Sequence, residues 1–251
     1  MSLRKALWAA LASCALAGTA LADPVRTVYT MENKFPGAMG WEVSVGGGGS
    51  SFDDENVDSY FGDVGVRFGL TDRLALRMAV PYVGYSADEV DENGIGDMVV
   101  GAEFLFFEDI FDYAWVIPYA MASLPTGDED KGLGAGKGRG HFGVSVGTTT
   151  MDVLHWIADL SVTTDGSMAE EDEDLVAGTL GLIWDLDEQA SVLGEVQFRD
   201  DPINDEHDYG MMYHLGLVYR VNERFSVMAY GGSSSHMDLD FYGMGKVVCQ
   251  F

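Results

Sequence analysis

Hydrolytic chemistry needs a nucleophile within hydrogen-bond reach of a base, so His141 with Ser145 and His155 with Asp159 are the first residues to weigh. Both pairs are four residues apart in what reads as extended chain. That spacing is about 13 Å at the usual strand rise, so neither pair bonds directly along its own strand. His207 lies in the acidic run Asp205-Glu206-His207-Asp208, where carboxylates can assist hydrolysis, but no nucleophile motif accompanies it. The expectation is therefore a protein that is not an enzyme and has no catalytic residue, with a rim-site hydrolase as the weaker alternative. The runs Asp53-Asp54-Glu55, Asp88-Glu89-Val90-Asp91-Glu92 and Glu170-Glu171-Asp172-Glu173-Asp174 lack the spacing of a calcium loop, so neither metal nor cofactor is predicted. Gly46-Gly47-Gly48-Gly49 is followed by no Lys and no helix. It reads as a flexible exit from a strand into a loop, not as a phosphate cradle.

A second set of polar residues is more regular. Asp63, Arg67, Arg77, Asp97, Glu103, His141, His155, Asp159, Glu195, Arg199, His214, Arg220 and Lys246 are isolated groups on runs whose alternate positions are apolar. Tyr60, Val64, Val66, Phe68 and Leu70 share one face of such a run, with Asp63, Gly65, Arg67 and Gly69 on the other. Leu74, Leu76, Met78, Val80 and Tyr82 repeat the apolar face, opposed by Ala75, Arg77, Ala79 and Pro81. A period of two sustained over ten or so residues is long for an ordinary strand of about five or six, and matches the nine to eleven that a tilted strand needs to cross a bilayer. The second face mixes small residues with charges of both signs, as a narrow lumen requires. There the charges must pair or meet water, so they build either a rigid ion-pair network or a constriction that selects solutes by sign and size.

Strands of this kind are predicted near residues 39–46, 58–70, 74–85, 95–107, 113–124, 140–150, 153–164, 174–184, 189–200, 209–221, 224–230 and 237–251. Short turns, such as Thr71-Asp72-Arg73 and Asn222-Glu223, alternate with longer, mostly acidic connections. An even number of strands joined alternately by short turns and long loops is the layout of an outer-membrane barrel, with turns in the periplasm and loops outside. The fold class expected is thus all-β, an antiparallel transmembrane β-barrel of about twelve strands.

The compartment follows from the first residues. Arg4 and Lys5 precede the apolar run Ala6 to Ala17, and Ala20-Leu21-Ala22 supplies small-x-small, so residues 1–22 read as a signal peptide cleaved after Ala22. Residues 39–251 form the barrel, and residues 23–38 are either a periplasmic tail or a short lumen plug. The chain has 41 acidic residues against 14 basic ones, a net charge of −27, which excludes nucleic acid as a partner because phosphate binding needs clustered Lys and Arg. Expected partners are outer-membrane lipid and lipopolysaccharide, a small-molecule solute, and the barrel-assembly machinery, which would read a final strand ending in Phe251.

Leu124-Pro125-Thr126-Gly127-Asp128, with a Gly-rich stretch through Gly132, Gly134, Gly136 and Gly138 and a strand from Gly140, resembles an outer-membrane transporter family labelled for the meta pathway of phenol degradation. In that family a strand ends in a similar sequence and a Gly-rich loop leads into the next strand. Gly62-Asp63-Val64 and Thr71-Asp72-Arg73-Leu74 also fit the resemblance. It implies transport of small, apolar or aromatic compounds across the bacterial outer membrane. Turn chemistry alone gives Pro125 and Gly127 the task of leaving a strand, with Asp128 bonding the loop backbone. The alternative from another class is a closed barrel serving adhesion or envelope integrity through its acidic loops.

Overall fold

Alternating sequence becomes a closed wall only if every edge finds a partner, since an unpaired backbone polar group in hydrocarbon is costly. The computed structural model describes residues 25–52, 57–87, 90–110, 114–164, 174–200, 209–235 and 239–251. In chain order the strands are β1 (Trp41–Phe52), β2 (Val57–Thr71), β3 (Leu74–Ala87), β4 (Val90–Ile95), β5 (Met98–Phe104), β6 (Phe107–Ile110), β7 (Ala114–Leu124), β8 (Arg139–Thr150), β9 (Leu154–Thr163), β10 (Leu175–Asp185), β11 (Ala190–Asp200), β12 (Tyr209–Asn222), β13 (Phe225–Ser235) and β14 (Leu239–Gln250). Each pairs antiparallel with its neighbour in the ring, and β1 closes it on β14, with Glu42 opposite Gln250 and Ser51 opposite Phe241. β4 and β5 both pair with β3, while β5 and β6 both pair with β7, so these three segments form one interrupted traverse. The result is a twelve-strand cylinder. Among the described residues no helix is long and apolar enough to cross a membrane.

The two faces are sorted as lipid requires. Leu215, Leu217, Leu180 and Leu160 are 71%, 61%, 61% and 59% exposed, whereas the inward Ile117, Ile183 and Leu193 are fully buried. A continuous apolar exterior of this kind is matched to hydrocarbon and not to water. Trp41 packs on Phe68 with ring centroids 4.4 Å apart, and Phe106 on Phe107 at 4.4 Å; with Trp156 and Trp184 they form an aromatic girdle at the turn end.

Short polar side chains close the turns. Thr71 Oγ1 accepts from Leu74 N at 3.0 Å, Asp187 Oδ1 from Ala190 N at 2.8 Å, and Asn222 Oδ1 from Arg224 N at 2.9 Å. Met151 and Asp152 both adopt positive φ in the three-residue connection between Thr150 and Leu154, and Val153 N donates to Thr150 O at 3.4 Å.

Several strands run further outward than their apolar patterns. Gly46 to Gly49 are not a flexible exit: they lie within β1 and pair on both sides, Gly48 opposite Phe61 and Met244. The glycines are needed for close approach, because a Cβ on Gly48 would stand 2.0 Å from the Gly243 carbonyl oxygen. Gly231 and Gly232 likewise extend β13, and residues 90–93, expected in a loop, pair with β3. Beyond the lipid belt, backbone pairing alone sustains a strand, and no apolar alternation is left to mark it.

Candidate lumen site

The interior is occupied by the chain's own N-terminal stretch. Met39 N donates to Gly69 O at 2.7 Å and Ala38 N to Asp72 Oδ1 at 2.8 Å, which fixes one end at the turn rim. The chain then rises past Phe35 and Met31, both buried in the core cluster, turns at residues 28–30, and descends to Arg26. Arg26 is ion-paired to Asp185 and hydrogen-bonded to Ser191 Oγ at 2.8 Å, back near the turn that joins β10 and β11. It also binds Glu32 from within the same stretch, at 2.5 Å, tying residues 26–32 into a closed knot. Burial opposes the charge of Arg26, but Glu32 and Asp185 outweigh it and hold its pKa above the ordinary value.

The wall meets this stretch with groups that the alternation had pointed inward. Glu195, 1% exposed, accepts from the consecutive backbone amides of Val28, Tyr29 and Thr30 at 3.0, 3.2 and 3.0 Å, and from Thr30 Oγ1 at 2.6 Å. His214 Nε2 lies 2.9 Å from Glu195 Oε2, an electrostatic contact, and its Nδ1 is 3.0 Å from the Tyr242 hydroxyl, which in turn meets the Tyr29 hydroxyl at 3.1 Å. Burial raises the Tyr29 pKa, keeping that phenol protonated. Arg67 bridges Glu42 at 3.0 Å and Glu103 at 2.7 Å, donates to Lys34 O at 2.8 Å, and faces the Phe35 ring. Asp159 takes hydrogen bonds from Tyr119, at 2.9 Å, and from Ser145, whose oxygen accepts from Met31 N at 2.9 Å.

The histidine pairs weighed for catalysis are not assembled. His141 meets Thr163 Oγ1 at 2.9 Å, and His155 meets Thr149 Oγ1 at 2.9 Å and Asp185 at 2.8 Å. The serine and aspartate come together instead, because the β8–β9 register sets Ser145 opposite Asp159. His207 and the acidic runs at 53–55, 88–89 and 170–173 lie outside the described residues. Arg77 stands opposite Arg67 on β3 and reaches Met31 Sδ at 3.7 Å. Asp63 and Lys246 share a cavity of about 210 Å³ with Arg77, between the N-terminal stretch and β1, β2, β3, β13 and β14. Arg199 lies close enough to Tyr29 to act on its phenol electrostatically, and Arg220 lines a cavity of about 240 Å³ at the turn end with Arg26 and Asp185.

At the loop end, the Pro125-Thr126-Gly127-Asp128 motif is shaped by a residue not assigned to it. Asp97, expected among the inward charges, accepts from the backbone amides of Thr126, Gly127 and Ala135 at 3.1, 2.9 and 2.8 Å, while Asp128 makes no side-chain cap and offers its carbonyl, to Lys131 N at 3.3 Å and Leu133 N at 2.9 Å. Thr126 Oγ1 accepts from Met98 N at 2.8 Å. Gly127 is required because a Cβ would stand 2.5 Å from Leu133 O. The loop so held forms one side of an outer vestibule of about 780 Å³, whose lining includes Phe61, Val83, Tyr85, Ser123 and Arg139, of inward parity.

Solved structures share this architecture. An outer-membrane channel from Pseudomonas putida F1 superposes with a TM-score of 0.73 at 13% identity, covering 91% of this chain and 99% of that one. The KdgM porin gives 0.53 at 10% identity, over 84% and 98% of the two chains. The translocator domain of the autotransporter NalP from Neisseria meningitidis gives 0.50 at 11%, over 98% and 93%. At these identities the likeness is one of fold. No curated protein matches the sequence. The model of the family described as "Putative MetA-pathway of phenol degradation" matches residues 33–234, and the chain belongs to that family.

Proposed function

We propose that this protein is an outer-membrane channel that admits small molecules past an N-terminal stretch lodged in its lumen. The observation that carries the reading is the contrast between a transmembrane cylinder and the cavities left inside it. Separate cavities of about 210 and 240 Å³ remain beside residues 25–38, against about 780 Å³ at the loop end, so more free space is left at the outer end than around the stretch. Charges of both signs and several methionines line the smallest of these, which suits small solutes, including apolar or aromatic ones, better than extended polymers. The fold shared with an outer-membrane channel and the family assignment support the same reading.

Two partner roles accompany it. Phe251, beside the β1–β14 seam, is the signature for the assembly machinery, and the acidic loops bridge to lipopolysaccharide through divalent cations.

Single-channel recording in planar bilayers tests the function. The folded protein should show small, discrete conductance steps, and a variant lacking residues 25–38 should show much larger ones. Folded protein that conducts in neither form, and admits no solute into liposomes, would refute it.

A further inference from the structure

One side chain in the outer vestibule is unlike Arg26 and Arg67. Arg26 and Arg67 are each held by two carboxylates. Arg139, the first residue of β8, has its Nε buried without a hydrogen-bond partner, and among the described residues no carboxylate lies within ion-pair distance of its guanidinium. Its acidic neighbour in the vestibule, Asp97, is committed to the backbone amides of Thr126, Gly127 and Ala135. A buried arginine donor left open, with no carboxylate beside it, calls for an acceptor. It is the more unusual in a chain with a net charge of −27. The space beside it, about 780 Å³, is faced by Phe61, Val83, Tyr85 and Leu133. Deeper in the lumen, Arg77 has the Met31 thioether as its only polar side-chain contact among the described residues, but its cavity also holds Glu42, Asp63, Glu103 and Lys246.

We propose that the vestibule is a recognition site for small organic anions with an apolar ring, aromatic carboxylates being the class that fits. The carboxylate pairs with the Arg139 guanidinium, whose planar fork matches it, and the ring lies against Phe61, Tyr85 and Leu133. Passage inward then leads past Arg77. The part of this inference that concerns passage rests on the channel reading; the binding site does not.

Benzoate and benzyl alcohol, alike in shape and different in charge, are the probes. Each is titrated calorimetrically into the refolded, processed chain in detergent micelles, with empty micelles as the blank. Benzoate should bind at least tenfold more tightly than the alcohol. Arg139→Gln should abolish that preference and Arg139→Lys should keep part of it, with strand circular dichroism confirming that each variant is folded. Equal affinities for the two probes, or an unchanged preference in folded Arg139→Gln, would overturn the site. Benzoate binding with neither conductance in bilayers, in the full or the shortened form, nor solute uptake into liposomes would remove the channel reading and leave the site. Conductance without a benzoate preference would do the reverse.

Discussion

Glu195 is the residue on which the docked N-terminal stretch depends most, and Glu195→Gln tests that dependence with little change of shape. The native carboxylate accepts four hydrogen bonds from residues 28–30 and faces His214. A carboxamide has one accepting oxygen, and its amino group would be turned toward donors. Half of the contacts are therefore lost or made repulsive. Hydrogen bonds to a charged group are worth about 1.5–3 kcal/mol each, and some of the loss is recovered by local adjustment, so docking should weaken by about 3 kcal/mol. At about 1.4 kcal/mol per tenfold, the undocked population rises on the order of a hundredfold. In planar bilayers, wild-type protein should visit a large-conductance level rarely, Glu195→Gln far more often, and a variant lacking residues 25–38 almost continuously. If Glu195→Gln visits that level no more often than wild type while the deletion variant occupies it, Glu195 is not the latch. If the deletion variant never reaches it, the stretch does not control the lumen.

Three further outcomes are expected. Arg67→Met strands Glu42 and Glu103 in the interior and should destabilise the barrel by about 3–5 kcal/mol, read as a lower urea midpoint in detergent; the triple replacement with Glu42→Gln and Glu103→Met should recover most of it. Asp97→Ala frees the three backbone amides that shape the 125–138 loop, so trypsin should cut at Lys131 or Lys137 faster while barrel unfolding hardly moves. Gly48→Ala places a methyl 2.0 Å from the Gly243 carbonyl oxygen and should impair closure of β1 on β14, whereas Gly62→Ala, with its nearest atom at 3.4 Å, should fold normally; equal yields of folded protein from both would contradict the register.

The sequence made the wall legible because lipid imposes a strict rule on every second side chain. Arg67, Glu103, Asp159, Glu195 and His214 could be placed inside on parity alone. Their partners could not, since Arg26, Glu32 and the amides of residues 28–30 belong to a stretch with no periodicity, and what fixes them is the closed cylinder around them. The role of Asp97 was hidden for a related reason: parity says which way a side chain points and nothing about a loop that begins at residue 125. The Ser145–Asp159 contact was only partly within reach. Alternation sets both residues on the inward face, but the expected turn at Met151-Asp152 would pair Ser145 with Ala158; a connection one residue longer, with Thr150 opposite Leu154, brings Asp159 across.

The two ends of the described stretch lie at the same rim, Gly40 beside Gly69 and Arg26 beside Asp185. Between residues 26 and 40 it is therefore a hairpin: in that span, a cork and not a bolt. A hairpin inserted from one side can be withdrawn and replaced without breaking any strand of the cylinder, and it can enter after the β1–β14 seam has joined. Assembly of the wall and sealing of its interior are thus separable events, and a barrel caught between them would be complete in every rung yet unstoppered.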